Sequence, residues 1–294
     1  MSNSIPEIED ADLLFIFGYN GADSHPIVAR RIVRAKEKGA TLITVDPRVT
    51  ETARISDMHL PIKGGTNMIL VNAFGNVLIN ENLYDEEFIK EHTDNFEEYK
   101  KIVEPYTPEY AAKYTNIPAD MIRKTMREYA KAKDAMILYG MGVCQFSQAV
   151  DVVKGLASLA LLTGNFGRPN VGIGPVRGQN NVQGACDMGA MPTDFPGYQK
   201  VDNPEVLAKF ENAWGIKLNP KPGIKATEVF PAAIKGDIKG LYIFGEDPVV
   251  TDADTNHIIK ALESLDFLVM NELFMTETAQ YADVILPGVS YAEK

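Results

Sequence analysis

The stretch TETARISDMHLP, residues 50–61, recurs closely as TETAQYADVILP, residues 276–287, with the copies 226 residues apart (276 minus 50). What precedes each copy decides the fold. Upstream of the first, DLLFIFGYN (12–20) is a continuous apolar run closed by Gly18 and Asn20, the pattern of a strand buried on both faces of a parallel sheet. A helix follows, with Ser24 as its expected cap, Pro26 in its first turn, Val28, Ile32 and Ala35 on one face, and Gly39 at its end. TLITV (41–45) is then a second buried strand, ending at Asp46, Pro47 and Arg48.

The second copy has the same approach. GLYIFGEDP is a strand that stops at Gly245, followed by the acidic pair Glu246 and Asp247. A helix with Ile258, Ile259 and Leu262 on one face leads to the strand FLVMNE, which ends in Asn271 and Glu272. Each phrase therefore closes a strand, helix, strand unit. The chain is expected to be an α/β protein containing two related βαβ half-domains.

Units of this kind take ligands at the carboxyl ends of their strands, where helix amino ends and loop amides hold phosphate and a polar side chain after the second strand reaches a ribose or base. Asp46 has that address in one unit, and Asn271 or Glu272 in the other; the alternative is that these are solvated loop polars. Neither first loop, FGYNGADS nor FGEDPVVT, is G-x-G-x-x-G, so a nicotinamide dehydrogenase is a poor fit.

Composition narrows the class. A chain of 294 residues that is 45% hydrophobic has material for two modest cores. Its net charge of -11 argues against a nucleic-acid partner, which needs a basic face. The first residues, MSNSIPEIEDAD, contain no apolar signal core, and GLASLALLTG is about half the span a membrane helix needs, so no membrane segment is expected and the reading is cytoplasmic. The two cysteines, Cys144 and Cys186, lack partners at metal spacing and are expected as buried or loop thiols. None of His25, His59, His92 and His257 is read as a metal ligand.

Between the repeats, residues 67–79, FEEYKKIV, PEYAAKYT (with Thr107 and Pro108 as cap and first position) and IPADMIRKTMREYAKA read as helices, and AMILYGMGV as a buried strand ending at Gly140 and Gly142. Glycines at a strand end allow close backbone approach to a ligand, and Gln145 just beyond them has an amide to offer; a loop that simply needs turns is the competing explanation. After the apolar helix DVVKGLASLALLTGNFG comes RPNVGIGPVRGQNNVQGACDMGAMPTDFPGY (168–198), expected as an ordered loop dense in glycine and amides. Amides suit a large heteroaromatic ligand, and Arg177, with its planar fork of donors, suits a carboxylate.

That segment, with FGYNGADSHP, TVDPRVTETARISDMHLPIKGGTN and YIFGEDPVVTDAD, resembles the catalytic (alpha) subunit of molybdenum- or tungsten-dependent formate dehydrogenases over essentially the whole chain. RGQNNVQGACDMG is the specific string; the TETA and ADVILP elements are shared more widely among molybdopterin oxidoreductases. The resemblance implies two pseudo-symmetric dinucleotide-binding α/β domains, with mostly parallel sheets flanked by helices, and a bis-molybdopterin guanine dinucleotide carrying Mo or W, one guanosine end in each domain. It implies that Asn20, Asp23, Ser24, Asp46, Arg48, Gly65, Asn67 and Gln145 line the first dinucleotide, and that Glu246, Asp247 and Asn271 belong to the second. It places Gly178 and Asn181 where the pterins approach the metal, and makes Arg177 the active-site arginine that orients formate.

The resemblance also implies parts that this sequence does not contain. These are a four-cysteine 4Fe-4S motif and a cysteine or selenocysteine metal ligand upstream, and a closing carboxyl-terminal domain. Residues 1–177 are thus expected to form the first dinucleotide domain and 178–294 an incomplete second one with exposed sheet edges, without formate oxidation by the chain alone. Formate and an electron-transfer subunit or other redox acceptor are the implied partners. Another molybdopterin oxidoreductase, of nitrate reductase or formylmethanofuran dehydrogenase type, and a non-catalytic guanine-nucleotide or cofactor-binding module are the alternatives.

Overall fold

The computed structural model describes residues 1–293, and the chain divides into two compact units, Met1–Asn180 and Asn181–Lys294. Five apolar segments of the first unit become strands: β1 (Leu13–Phe17), β2 (Thr41–Val45), β3 (Met58–Leu60), β4 (Ala135–Tyr139) and β5 (Gly172–Pro175). They form one parallel sheet in the order β3-β2-β1-β4-β5. Each of the five residues of β1 is buried, because the sheet is covered on both faces. Leu13, Phe15 and Phe17 enter one core with Ile43, Val45, Ile137 and Tyr139, while Leu14 and Ile16 enter the other with Leu42, Met136 and Leu138. Alternate residues of each strand face opposite ways, so an unbroken apolar run fits a sheet with two covers.

The helices of this unit are α1 (Gly21–Ser24), α2 (Pro26–Glu37), α3 (Glu51–Ile55), α4 (Asn67–Asn80), α5 (Glu86–His92), α6 (Phe96–Val103), α7 (Pro108–Thr115), α8 (Ala119–Lys131), α9 (Met141–Cys144) and α10 (Ala149–Leu162). One cover of the sheet holds α2, whose Val28, Ile32 and Ala35 are buried. The other is built around α4, which packs against α6, α7, α8 and α10. Every residue of α4 from Leu70 to Ile79 is buried, Asn72 and Asn76 included, because neighbouring helices cover it. This buried helix fixes Asn67, its first residue, at the edge of the sheet. Thr107 caps α7 by accepting from Tyr110 N at 3.1 Å, with Pro108 at the first position, as the sequence predicts.

The second unit contains α11 (Val182–Asp187), the two-residue strands β6 (Asp194–Phe195) and β7 (Gln199–Lys200), α12 (Pro204–Trp214), α13 (Ala226–Lys235), β8 (Gly240–Phe244), α14 (Pro248–Thr251), α15 (Thr255–Glu263), β9 (Phe267–Glu272) and β10 (Val284–Pro287). Strands β10-β9-β8 form a parallel sheet. One face of it packs Ile243, Leu268 and Met270 with Val249, Ile258 and Leu262. On β8, Tyr242 and Phe244 are exposed, at 57% and 73%.

The repeated phrase has a job that the structure makes plain. Asp57 Oδ2 accepts from Leu42 N at 2.8 Å, and Asp57 N donates to Leu42 O at 2.9 Å. Asp283, seven places into the second copy as Asp57 is into the first, does the same to Leu268, at 2.7 and 2.9 Å. The phrase thus ties the return turn to the start of the second strand in each unit. Gly18 N donates to Val45 O at 2.8 Å and Gly245 N to Asn271 O at 2.9 Å, closing the first strand on the second in the same way.

Three expectations are corrected. Ser24 does not cap α2: residues 21–24 form a helical turn of their own, Ser24 Oγ donates to Asn20 O at 2.7 Å, and His25 holds the cap position. Residues 168–198 are not all loop, since Gly172–Pro175 pairs with β4 and Val182–Asp187 is helical; glycine-rich composition hid a strand whose small residues let it lie close to its neighbour. Cys144 is neither buried nor in a loop but exposed on α9, and Cys186 is half-buried within α11. Short helical turns carry too few residues to show a period.

Candidate functional site

All five strands of the first sheet point their carboxyl ends to one edge, and the loops leaving them carry the polar residues singled out above. Asn20, Asp46, Arg48 and Asn67 line one cavity of about 240 Å³, together with residues that include Gly18, Pro47, Gly64, Gly142 and Phe146. Each is held from below. Asp46 is buried and its Oδ1 accepts from Arg48 N at 2.8 Å, which bends the chain so that Arg48 turns onto the cavity wall. His59 Nε2 lies 2.9 Å from Asp46 O; a carbonyl only accepts, so that ring nitrogen donates. Asn67 Nδ2 donates to Gly142 O at 3.3 Å, joining the start of α4 to the turn after β4.

The floor of the cavity is backbone against backbone. Gly142 N donates to Gly18 O at 3.0 Å, and a Cβ on Gly142 would lie 2.7 Å from Gly18 Cα. Gly18 itself has φ +56°, so the loops after β1 and β4 meet at two positions where only glycine fits.

The remaining predicted residues fall around this cavity rather than in its wall. Asp23 hydrogen-bonds the Asn20 side chain. Ser24 holds Asn20 O. Gly65 follows Gly64 with φ +83° and open space above it. Gln145 is exposed at the end of α9, beside Phe146. Phe146, 41% exposed in the cavity wall, had no signal in the sequence reading beyond its place after the strand-end glycines.

Arg177 is exposed two residues past β5. Its carbonyl accepts from His25 Nε2 at 2.6 Å. The His25 ring lies against Tyr19, with ring centres 5.5 Å apart. Tyr19 Oη and His25 Nδ1 are buried without hydrogen-bond partners, and burial raises the Tyr19 phenol above its usual range. Partial desolvation also raises the Cys144 thiol, although the residue is exposed. Gly178 is exposed next to Arg177, and Asn181, at φ +52°, precedes α11.

In the second unit, Asn271 and Glu272 line a cavity of about 350 Å³ with Phe244, Gly245, Leu273 and the Pro287–Val289 turn. Asn271 Nδ2 donates to Leu286 O at 3.0 Å. Glu246 and Asp247 do not line it. Asp247 Oδ1 instead accepts from Thr278 N at 3.0 Å and Thr278 Oγ1 at 2.5 Å. The counterpart contact in the first unit joins Thr52 Oγ1 to Asn20 Oδ1, at 3.4 Å. Another hollow, of about 300 Å³, is lined by apolar residues such as Ile89, Phe96 and Leu161 and by polar ones such as Asp94, Asn95 and Glu98; none of the predicted site residues is in it.

The first sheet is that of a doubly wound α/β protein, a fold class in which ligands are taken up at the carboxyl ends of parallel strands. The chain belongs to the molybdopterin oxidoreductase family, whose model matches residues 1–294. It is 53% identical over its whole length to formate dehydrogenase H from Escherichia coli (strain K12), of which it covers 41%. It is 52% identical, again over its whole length, to the F420-dependent formate dehydrogenase subunit alpha of Methanocaldococcus jannaschii, of which it covers 43%. The chain thus spans about two-fifths of the length of these relatives. Acetylene hydratase from Pelobacter acetylenicus has the same fold, with a TM-score of 0.75 at 22% identity over 97% of this chain and 43% of that one. Among the described residues, no helix is long and apolar enough to cross a membrane.

Proposed function

We propose that this chain is the central cofactor-binding part of a formate dehydrogenase catalytic subunit, which oxidises formate to carbon dioxide, one proton and two electrons. The cofactor is a molybdenum or tungsten centre between two pyranopterin guanine dinucleotides. The observation that carries the reading is the gathering of Asn20, Asp46, Arg48 and Asn67 around one cavity at the carboxyl edge of the first sheet.

The donor set fits such a ligand. A guanidinium (Arg48) suits a phosphate, a buried carboxylate (Asp46) suits ribose hydroxyls, and two amides (Asn20, Asn67) offer both donors and acceptors to a base. The Gly18–Gly142 contact lowers the floor where any Cβ would stand, and the buried, unpartnered Tyr19 Oη and His25 Nδ1 are polar atoms at the same strand edge. In the second unit Asn271 and Glu272 take the corresponding places, and Asp247, Glu246, Gly178 and Asn181 complete the proposed binding residues. Asp23, Ser24, Gly65 and Gln145 support the first site from its margin.

When bound, the metal supplies the two-electron chemistry on the C–H bond. The chain's part is to hold the substrate. Arg177 pairs its guanidinium with the formate carboxylate and keeps the C–H bond turned away from the charged fork. Its main chain is fixed by His25, so the guanidinium swings from an anchored base. Electrons pass to an electron-transfer subunit or another acceptor, with a 4Fe-4S cluster in the polypeptide outside these residues as the proposed relay, and the cytoplasm as the compartment.

Formate-dependent dye reduction by the full-length polypeptide tests this. Arg177→Ala is expected to abolish it while leaving the metal content unchanged, with Arg177→Lys intermediate because a point charge replaces a fork. Undiminished turnover in Arg177→Ala would contradict the reading.

A further inference from the structure

Arg177 is followed by Gly178, and the place where a side chain of residue 178 would stand is open space. The peptide plane between the two therefore turns at little cost unless something holds it. Two contacts hold this stretch. Val176 N donates to Tyr139 O at 2.9 Å, which pins the chain just before Arg177, and His25 Nε2 holds the Arg177 carbonyl at 2.6 Å. The second contact is only as firm as the imidazole that makes it. A carbonyl accepts and never donates, so Nε2 carries the proton, and in the neutral ring Nδ1 is then an acceptor. That Nδ1 is buried with no hydrogen-bond partner.

The ring beside His25 is that of Tyr19, with centres 5.5 Å apart and planes tilted by 48°. Tyr19 is 3% exposed, and its Oη is likewise buried without a partner. Burial raises the phenol above its usual range, so the group stays O–H and has a proton to donate. The ring is also boxed in. A Cβ on Gly21 would lie 3.0 Å from Tyr19 Oη, and a Cβ on Gly140 would lie 3.0 Å from Tyr19 Cδ2. A buried donor and a buried acceptor, each alone, cost the desolvation of a polar group, and two such atoms of opposite kind on adjacent rings answer each other's need.

We propose that Tyr19 is a positioning residue for Arg177, acting through His25. On a small turn of the imidazole its hydroxyl donates to His25 Nδ1, which fixes the ring in the tautomer that donates from Nε2 and keeps it from flipping. Hydrogen bonds that serve catalysis commonly shorten only once substrate is bound. The inference rests on the reading that Arg177 holds formate. Phenol, imidazole and the Arg177 carbonyl then make one line of fixed contacts from the end of β1 to the arginine, so that its guanidinium is presented with less ordering cost when formate arrives.

The test uses the full-length enzyme purified with its cofactor, with KM and kcat for formate, metal content and the thermal unfolding midpoint measured on each variant. Tyr19→Phe keeps the ring between the two glycines and removes only the hydroxyl. It is expected to raise KM about three- to tenfold, the worth of one net hydrogen bond, with a smaller change in kcat, unchanged metal content and a midpoint no lower than that of wild type. The same substitution made together with His25→Ala is expected to raise KM no further than His25→Ala alone, because the residue it acts through has gone. Unchanged KM in Tyr19→Phe, with or without a lowered midpoint, overturns the proposal, and so does an equal rise in the presence and absence of His25; both leave the functional reading intact. No formate oxidation by wild type overturns that reading, and this inference with it.

Discussion

Gly142 donates its backbone N–H to Gly18 O at 3.0 Å, and the two residues pack main chain against main chain where the loops after β1 and β4 meet. Gly142→Ala is expected to force these loops apart, since its Cβ would stand 2.7 Å from Gly18 Cα. Backbone cannot yield as a side chain end does, so the cost is about 1–3 kcal/mol. Cofactor loading is expected to fall more steeply than stability, because the displaced atoms form the floor under Asn20 and Asn67. Parallel measurement of metal content and chemical denaturation of the full-length variant checks this, and a variant with full loading would refute it.

Asp57 and Asp283 make the same pair of bonds to Leu42 and Leu268. Removing either carboxylate strands a backbone N–H at the base of a buried strand, so Asp57→Ala and Asp283→Ala are each expected to destabilise by roughly 1–3 kcal/mol. Amide hydrogen exchange gives the site-specific reading: Leu42 loses protection in the first variant and Leu268 in the second, each without the other. Unchanged protection would show that the repeated phrase is not what pins the strands.

Glu7 stitches the amino terminus to the loop before β5. It accepts from Asn3 Nδ2 at 2.7 Å, Asn170 N at 2.9 Å and Ser4 N at 2.9 Å. These bonds, the Asn3 side chain first, lower its carboxyl from 4.5 to about 2. The folded value lies below the unfolded one, so the stabilisation is present above pH about 4.5 and is lost as the pH falls toward about 2. Glu7→Gln is expected to flatten that part of the acid limb of thermal unfolding and to leave the slope near neutral pH unaltered.

His25 fixes the Arg177 carbonyl at 2.6 Å. His25→Ala is expected to raise the KM for formate several-fold with a smaller change in kcat, because the anchored arginine becomes loose before the chemistry is touched. His25→Gln, whose amide nitrogen reaches as a donor, is expected to restore most of the loss. Steady-state kinetics on the full-length enzyme decide between this and a His25 that matters only for folding, which would lower active-site content with KM unchanged.

The fold was legible wherever apolar runs were long. LLFIF, TLITV and AMILY read as doubly buried strands, and they alternate between two cores as such runs must. The helix α4 showed itself by apolar residues at helical spacing. Short and glycine-rich pieces did not: GIGP is a strand and VQGACD a helix, yet neither carries enough side chain to show a period. Of the candidate site, Asp46 and Asn271 stood out as polar positions after strands, whereas Asn20, Arg48 and Asn67 were named through the resemblance; the fold brings Asn20, Asp46, Arg48 and Asn67 around one cavity. Phe146 and the two threonines could not be named, because Thr52 and Thr278 act on side chains 32 and 31 residues away in sequence. The repeat was visible in the letters, whereas its hydrogen bonds needed the fold.

The most direct measurement is the ratio of guanine nucleotide to metal in the full-length native protein, by acid release of GMP and elemental analysis of one sample. Two GMP per molybdenum or tungsten atom is the expected result, one for each TETA-bearing unit. A protein that holds neither metal nor GMP, or a single nucleotide without pterin, would contradict the proposed bis-dinucleotide site and leave two α/β units with another ligand to find.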